Sequence, residues 1–125
     1  MTIKEASYNE EAATLVCDGR SGDAALEKLL FAAFLKAFRI WQERQRKYGR
    51  NNIAKWGALG VLMRGDDKTE RLRHIYAGNR NESLDESISD SWLDKVNYAL
   101  MGAMLHWGWW PREGEDCVDI DLEKI

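Results

Sequence analysis

Apolar positions along the chain recur at three- and four-residue steps in three long blocks. In the first, 24–48, Leu26, Leu30, Phe34, Ala37, Phe38 and Trp41 follow this spacing, which holds them on one stripe of an α-helix. Asp23 precedes the block as a short polar N-cap, and Gly49 is a residue that ends helices. Arg50-Asn51-Asn52 then reads as a connecting turn. The second block, 53–76, contains Gly57, Gly60 and Gly65. Each interior glycine costs about 1 kcal/mol against alanine, so the pattern predicts a break near Gly65. Residues 78–81 read as a loop. Ser83-Leu84-Asp85-Glu86 then forms a capping box, in which Ser83 and Glu86 satisfy each other's end of the backbone. The helix it opens is predicted over 83–107, closed by Trp109-Trp110-Pro111. A short helix is predicted over 10–16, with a break at Gly19-Arg20-Ser21-Gly22. No segment alternates in the manner of a strand bounded by hairpin turns. The expected fold is all-α, a small helical bundle. It forms one domain, 1–125, in which 1–22 and 113–125 are peripheral segments.

Composition narrows the class. At 125 residues and 45% hydrophobic content the chain can bury a real core without disulfides or metal. It has no apolar run long enough to span a bilayer, and its first residues lack a signal pattern. Cys17 and Cys117 stand alone, without a CxxC motif or a Cys/His cluster. Reduced thiols and a cytoplasmic location are therefore expected, and zinc is not. A formal charge of −3 argues against bulk attraction to nucleic acid.

Candidate chemistry centres on carboxylates. Glu86, Asp90 and Asp94 are spaced i, i+4, i+8, and Asn97 follows three residues on. On a helix these four lie within about 80° of arc, in a strip about 12 Å long. Ile88, Trp92, Leu93, Val96 and Leu100 fill the neighbouring arc, so the acids sit at the margin of the buried stripe. Like charges at this spacing repel. A hard divalent cation, Mg²⁺ or Mn²⁺, would relieve that repulsion through oxygen ligands and keep waters for a substrate phosphate. The preceding helix offers Asp67 and Glu70 at i, i+3. A short loop makes the two helices antiparallel neighbours, so Asp67 and Glu70 are placed to face Asp90 and Asp94. Lys68 and Arg71 then lie near a bound phosphate. The alternative is ordinary helix-surface pairing, Asp67 with Arg71 and Glu70 with His74, with the acidic row as a solvated face.

Arg39, Arg46 and Arg50, at i, i+7, i+11, make a basic row with Lys47 and Tyr48 beside it. Such a row can grip polyphosphate or remain solvated. There are six tryptophans. Trp41, Trp56 and Trp92 read as core or subunit-contact residues. Trp107, Trp109 and Trp110 form an aromatic end that predicts a homo-oligomer contact ahead of base stacking.

Several strings together carry a family resemblance: Lys47-Tyr48-Gly49, Leu62-Met63-Arg64-Gly65-Asp66-Asp67-Lys68 with Arg71-Leu72, Asn81-Glu82-Ser83-Leu84, and Asp90 with Asp94-x-x-Asn97-Tyr98-Ala99. Over about residues 38 to 105 the chain resembles the phage and bacterial nucleotide modification associated domain 1 family. That family is similar to the all-α, MazG-like nucleoside triphosphate pyrophosphohydrolases. The resemblance implies a helical, nucleotide-handling protein, often phage-encoded and so acting in the host cytoplasm. It further implies Mg²⁺ held on carboxylates of two helices, here Asp67, Glu70, Glu86, Asp90 and Asp94. Water then splits a nucleoside triphosphate into monophosphate and pyrophosphate. Glu70 or Glu86 would act as general base, and Lys47, Arg64, Lys68, Arg71, Asn97 and Tyr98 would hold substrate. The chain departs from the MazG-like pattern, because Asp67-x-x-Glu70 stands where that pattern has a Glu-Glu-x-x-Glu cluster. A non-catalytic nucleotide binder, or a module that meets a protein or nucleic acid through its aromatic end and basic face, are the alternatives.

Overall fold

Local signals at the start of the first helix act as their chemistry predicts. In the structure, a computed structural model that describes residues 16–78, 85–112 and 114–115 and leaves the side chains of 85–87 undescribed, helix α1 spans Ala24–Ala54. Asp23 caps it, its Oδ1 accepting from the Leu26 N–H at 3.0 Å. One turn on, Glu27 reaches back over the 19–22 turn. Its carboxylate accepts from the Ser21 hydroxyl at 2.5 Å and from the Gly19 and Ser21 N–H groups at 3.0 Å each. These bonds, the Ser21 hydroxyl first, hold the Glu27 carboxyl below the usual glutamate range. Cys17 has no disulfide partner among the described residues.

The glycines behave less simply. Gly49 does not end α1 but kinks it: φ of 74° and ψ of 173° at this residue lie where only glycine sits without strain, and helix resumes to Ala54. What reads as a turn at Arg50-Asn51-Asn52 is therefore a last helical turn in a new direction. Helix α2, Gly57–Tyr76, runs unbroken through Gly65, against the expected break. The reason is packing along α3, Asp85–Trp107. A Cβ on Gly65 would stand 3.7 Å from that of Tyr98, and one on Gly102 would stand 3.8 Å from Val61 Cγ1. Burial at this crossing outweighs the propensity cost of the glycines. Helix α3 ends where expected. Gly108, at φ 75°, closes it with Trp109 N–H to Met104 O at 2.8 Å and Gly108 N–H to Leu105 O at 3.3 Å, a Schellman arrangement. The short helix expected over 10–16 and the Ser83–Glu86 capping box fall largely outside the described residues, as does Cys117.

The described residues are helical with no strand, in keeping with the all-α expectation. No helix among them is long and apolar enough to cross a membrane. Contacts divide the chain into two units, Met1–Phe38 and Arg39–Ile125. In the second, α2 lies along α3, and the core is Ile53, Val61 and Met101, with Trp41, Tyr98, Leu105 and Trp110 packed around it. The Trp41 indole N–H points at the Met101 sulfur, 3.2 Å away. Trp110 donates to the Arg50 carbonyl at 3.3 Å. The aromatic end is thus partly folded in, with Trp110 on the core and Trp107 and Trp109 in ring contact at 4.7 Å.

Candidate functional site

Three helix faces of the second unit enclose one cavity of about 380 Å³. Each face follows from helical spacing. α1 contributes Trp41, Arg44, Gln45 and Tyr48, and past the Gly49 kink Asn52 and Ile53. From α2 come Arg64 and Lys68, one turn apart, and from α3 Asp94, Asn97, Tyr98 and Met101. The kink matters here, because it redirects the last turn of α1 so that Asn52 and Ile53 join the wall.

Asp94 anchors the polar end. It is 9% exposed, and its two oxygens face different cations: Oδ2 lies 3.3 Å from Lys68 Nζ and Oδ1 lies 4.0 Å from an Arg44 guanidinium nitrogen. Burying a carboxylate without such partners is costly. Asn97 and Ser91, on the same α3 face, are also buried. Arg64 spans from α2 to the Asn52 carbonyl at 3.5 Å. Three cations, Arg44, Arg64 and Lys68, thus meet one carboxylate, Asp94, on a wall otherwise built of aromatic rings, amides and Ile53 and Met101. The cavity carries two formal positive charges in excess.

Of the residues anticipated as substrate contacts, Arg64, Lys68, Asn97 and Tyr98 converge on this cavity and Lys47 and Arg71 do not line it. Lys47 is exposed, its ammonium 5.5 Å from the Tyr48 ring centroid. Among the anticipated metal ligands whose side chains are described, only Asp94 lines the cavity. Asp90 is half-buried beside it on α3, and Asp67 is exposed. Glu70 is exposed and ion-paired with Arg73, one turn along its own helix, rather than with His74. The Glu86 side chain lies outside the described residues. Among the described residues no three His, Cys, Asp or Glu side chains come together as a metal would require. An ammonium at 3.3 Å occupies the place at Asp94 where a cation would sit. The described carboxylates therefore do not assemble a Mg²⁺ cage. Helical arithmetic put Asp90 and Asp94 40° apart, and the difference lies in how α3 is rotated against α2. Asp94 turns inward and Asp90 stays at the edge.

Comparison with known proteins adds little to this geometry. No protein-family model matches the chain, and no solved structure does. A stretch of 83 residues, 65% of the chain, is 28% identical to the pheromone-processing carboxypeptidase kex1 of Aspergillus clavatus. The chain spans 14% of that protein's length, and carboxypeptidase activity is said of the fungal protein alone.

The sequence reading missed Arg44, Gln45 and Asn52 as site residues and assigned Trp41 to core or subunit contact. The available signal was Trp41, Arg44, Gln45 and Tyr48 at i, i+3, i+4, i+7, one face carrying both rings and polar groups. The more visible basic row misled. Arg39 and Arg46 are exposed and do not line the cavity. Arg50 turns away to donate to the carbonyls of Arg112 and Glu115 at 3.0 and 2.6 Å.

Proposed function

We propose that this cavity binds a phosphorylated small molecule, a nucleotide by its chemistry, in the cytoplasm. The observation that carries the reading is the excess of cations over carboxylates on a wall that also presents Trp41, Tyr48 and Tyr98. Arg44 and Arg64 offer planar, always-charged forks suited to phosphate oxygens, and Lys68 a point charge between them. Aromatic faces and the Asn52 and Asn97 amides suit a heterocyclic base. The volume falls within the usual range for small-ligand sites, about 300–1,000 Å³. The family resemblance points to the same class of ligand.

Titration calorimetry with each nucleoside and deoxynucleoside triphosphate tests this. Binding is expected, weakened about tenfold in Arg64→Gln, which removes one charge-assisted contact from a side chain that makes a long bond to Asn52 O. Equal affinity in Arg64→Gln, or no binding of any nucleotide by the wild type, would sink the reading. The same samples, supplied with Mg²⁺ and assayed for pyrophosphate, decide whether a bound triphosphate is also hydrolysed, as the resemblance implies. Release abolished by Asp94→Asn would establish the pyrophosphohydrolase. Binding without release would leave a nucleotide-holding protein.

We further infer a homo-oligomer. Among the described residues six hydrophobic side chains are buried, while Leu26, Leu29, Leu30, Phe34 and Phe38 are each about half exposed or more. So are Trp56, just before α2, and Leu59, Leu62 and Met63 on it. Apolar surface on this scale marks an association face. Light scattering on a sizing column is expected to give a multiple of the 14.4 kDa chain mass, and a lower mass in Leu30→Glu/Phe34→Glu. A monomeric wild type would refute it.

A further inference from the structure

A second hollow, of about 450 Å³, runs between α2 and α3, and among the described residues these two helices alone line it. Four of its walls are small side chains or none: Ala58 and Gly65 from α2, Ala99 and Gly102 from α3. Leu62 stands beside them. Leu59 and Met63 continue the same face, since on a helix Ala58, Leu62, Leu59 and Met63 fall within about 140° of arc. These three large side chains are 63–69% exposed. The hollow has one charged residue on each helix, Asp66 on α2 and Lys95 on α3. Neither is in an ion pair among the described residues, and the Lys95 ammonium lies 5.3 Å from the Trp92 ring centroid.

We propose that a second copy of this chain docks on this hollow, about a twofold axis that runs along it, so that α2 of each copy lies over α3 of the other. An isologous contact needs projection and recess on one surface, and this face has both. Leu62 of each copy enters the small-residue recess of its partner. Charge complementarity fixes the pairing: the rotation carries Asp66 of each copy over the partner's Lys95, so one pair forms on each side of the axis. Area supports it as well. Leu59, Leu62 and Met63 each present on the order of 100 Å², and with the walls of the recess they approach the roughly 800 Å² that each partner brings to a standard interface. Tyr98 is a wall of both this hollow and the cavity, so the partner copy backs a ring that the ligand meets from the other side. The inference deepens the homo-oligomer reading and rests on it, by naming the surface and the symmetry of one contact.

The test uses the full chain carrying Leu30→Glu/Phe34→Glu, which removes the α1 contribution to association and leaves α2 and α3 unaltered. Light scattering of this parent is expected to give twice the 14.4 kDa chain mass. Adding Leu62→Glu is expected to give a monomer with the parent's helical circular dichroism, because Leu62 is 69% exposed. Adding Asp66→Lys or Lys95→Asp instead sets like charges face to face on both sides of the axis and is expected to weaken the dimer at least tenfold. An equimolar mixture of those two proteins rebuilds both pairs, Lys to Asp and Asp to Lys, and is expected to dimerise within about twofold of the parent. A monomeric parent from an oligomeric wild type overturns the proposal and leaves association through α1 standing. A mixture that associates no better than its components overturns it too. A monomeric wild type removes the oligomer reading itself, and this contact with it.

Discussion

Replacing Lys68 by methionine is expected to lower the unfolding free energy by about 3 kcal/mol, read as a reduced urea midpoint at unchanged slope. The Asp94 side chain is 11% exposed and Lys68 is its nearest cation. Methionine matches the length of the lysine stem but leaves a buried carboxylate with, among the described cations, only the more distant, half-exposed Arg44 at 4.0 Å. Most of the loss comes from the stranded charge, not from the ion pair itself. The double variant Lys68→Met/Asp94→Leu is therefore expected to recover much of it, since removing both partners of a buried pair is often close to neutral. A Lys68→Met protein within about 0.5 kcal/mol of the wild type would show that Asp94 is held by water or by Arg44 alone.

The second large effect is expected at Met101, which joins the core to the cavity. Truncation to alanine should cost about 3 kcal/mol, a fall of roughly 10 °C in Tm. Met101 is 7% exposed, packs with Ile53 and Val61, and holds the Trp41 indole N–H through its sulfur. Met101→Leu separates the contributions. It restores nearly all of the volume but no acceptor for Trp41, and should cost about 1 kcal/mol. Equal losses in the two variants would mean that the N–H···S contact outweighs the packing. Because Trp41 also lines the cavity, both variants are expected to weaken the proposed nucleotide binding beyond their loss of stability.

Both predictions depend on residues whose roles were unequally visible in the chain. Asp94 and Asn97 were legible as polar residues on the margin of an apolar stripe, Lys68 as a neighbour of a bound phosphate, and Arg64 only through the family resemblance. What they do together was not. The i, i+4 spacing of Asp90 and Asp94 invites a metal-ligand reading, and helical periodicity cannot say which of two residues 40° apart turns inward. Trp41 was legible as a core or subunit-contact residue but not as a cavity wall. Arg44 shares its stripe and escaped notice because Arg39, Arg46 and Arg50 formed a more regular basic row. Gly49 announces a discontinuity, and only the φ/ψ actually adopted tells a kink from a stop.

The sequence by itself determined the helical elements, the Asp23 cap, the approximate end of the last helix and the pool of polar residues from which a site is drawn. Those are local properties, set by backbone propensity, capping chemistry and the 3.6-residue repeat within a few turns of chain. Tertiary structure alone decided that α2 runs unbroken through Gly65, that Asp94 rather than Asp90 is buried, and that cations outnumber carboxylates in the cavity. These depend on the rotation and closeness of helices whose contacting residues, such as Gly65 with Tyr98 or Lys68 with Asp94, lie some thirty positions apart. No local rule constrains so distant a pairing, and burial energy at the α2–α3 crossing settles it.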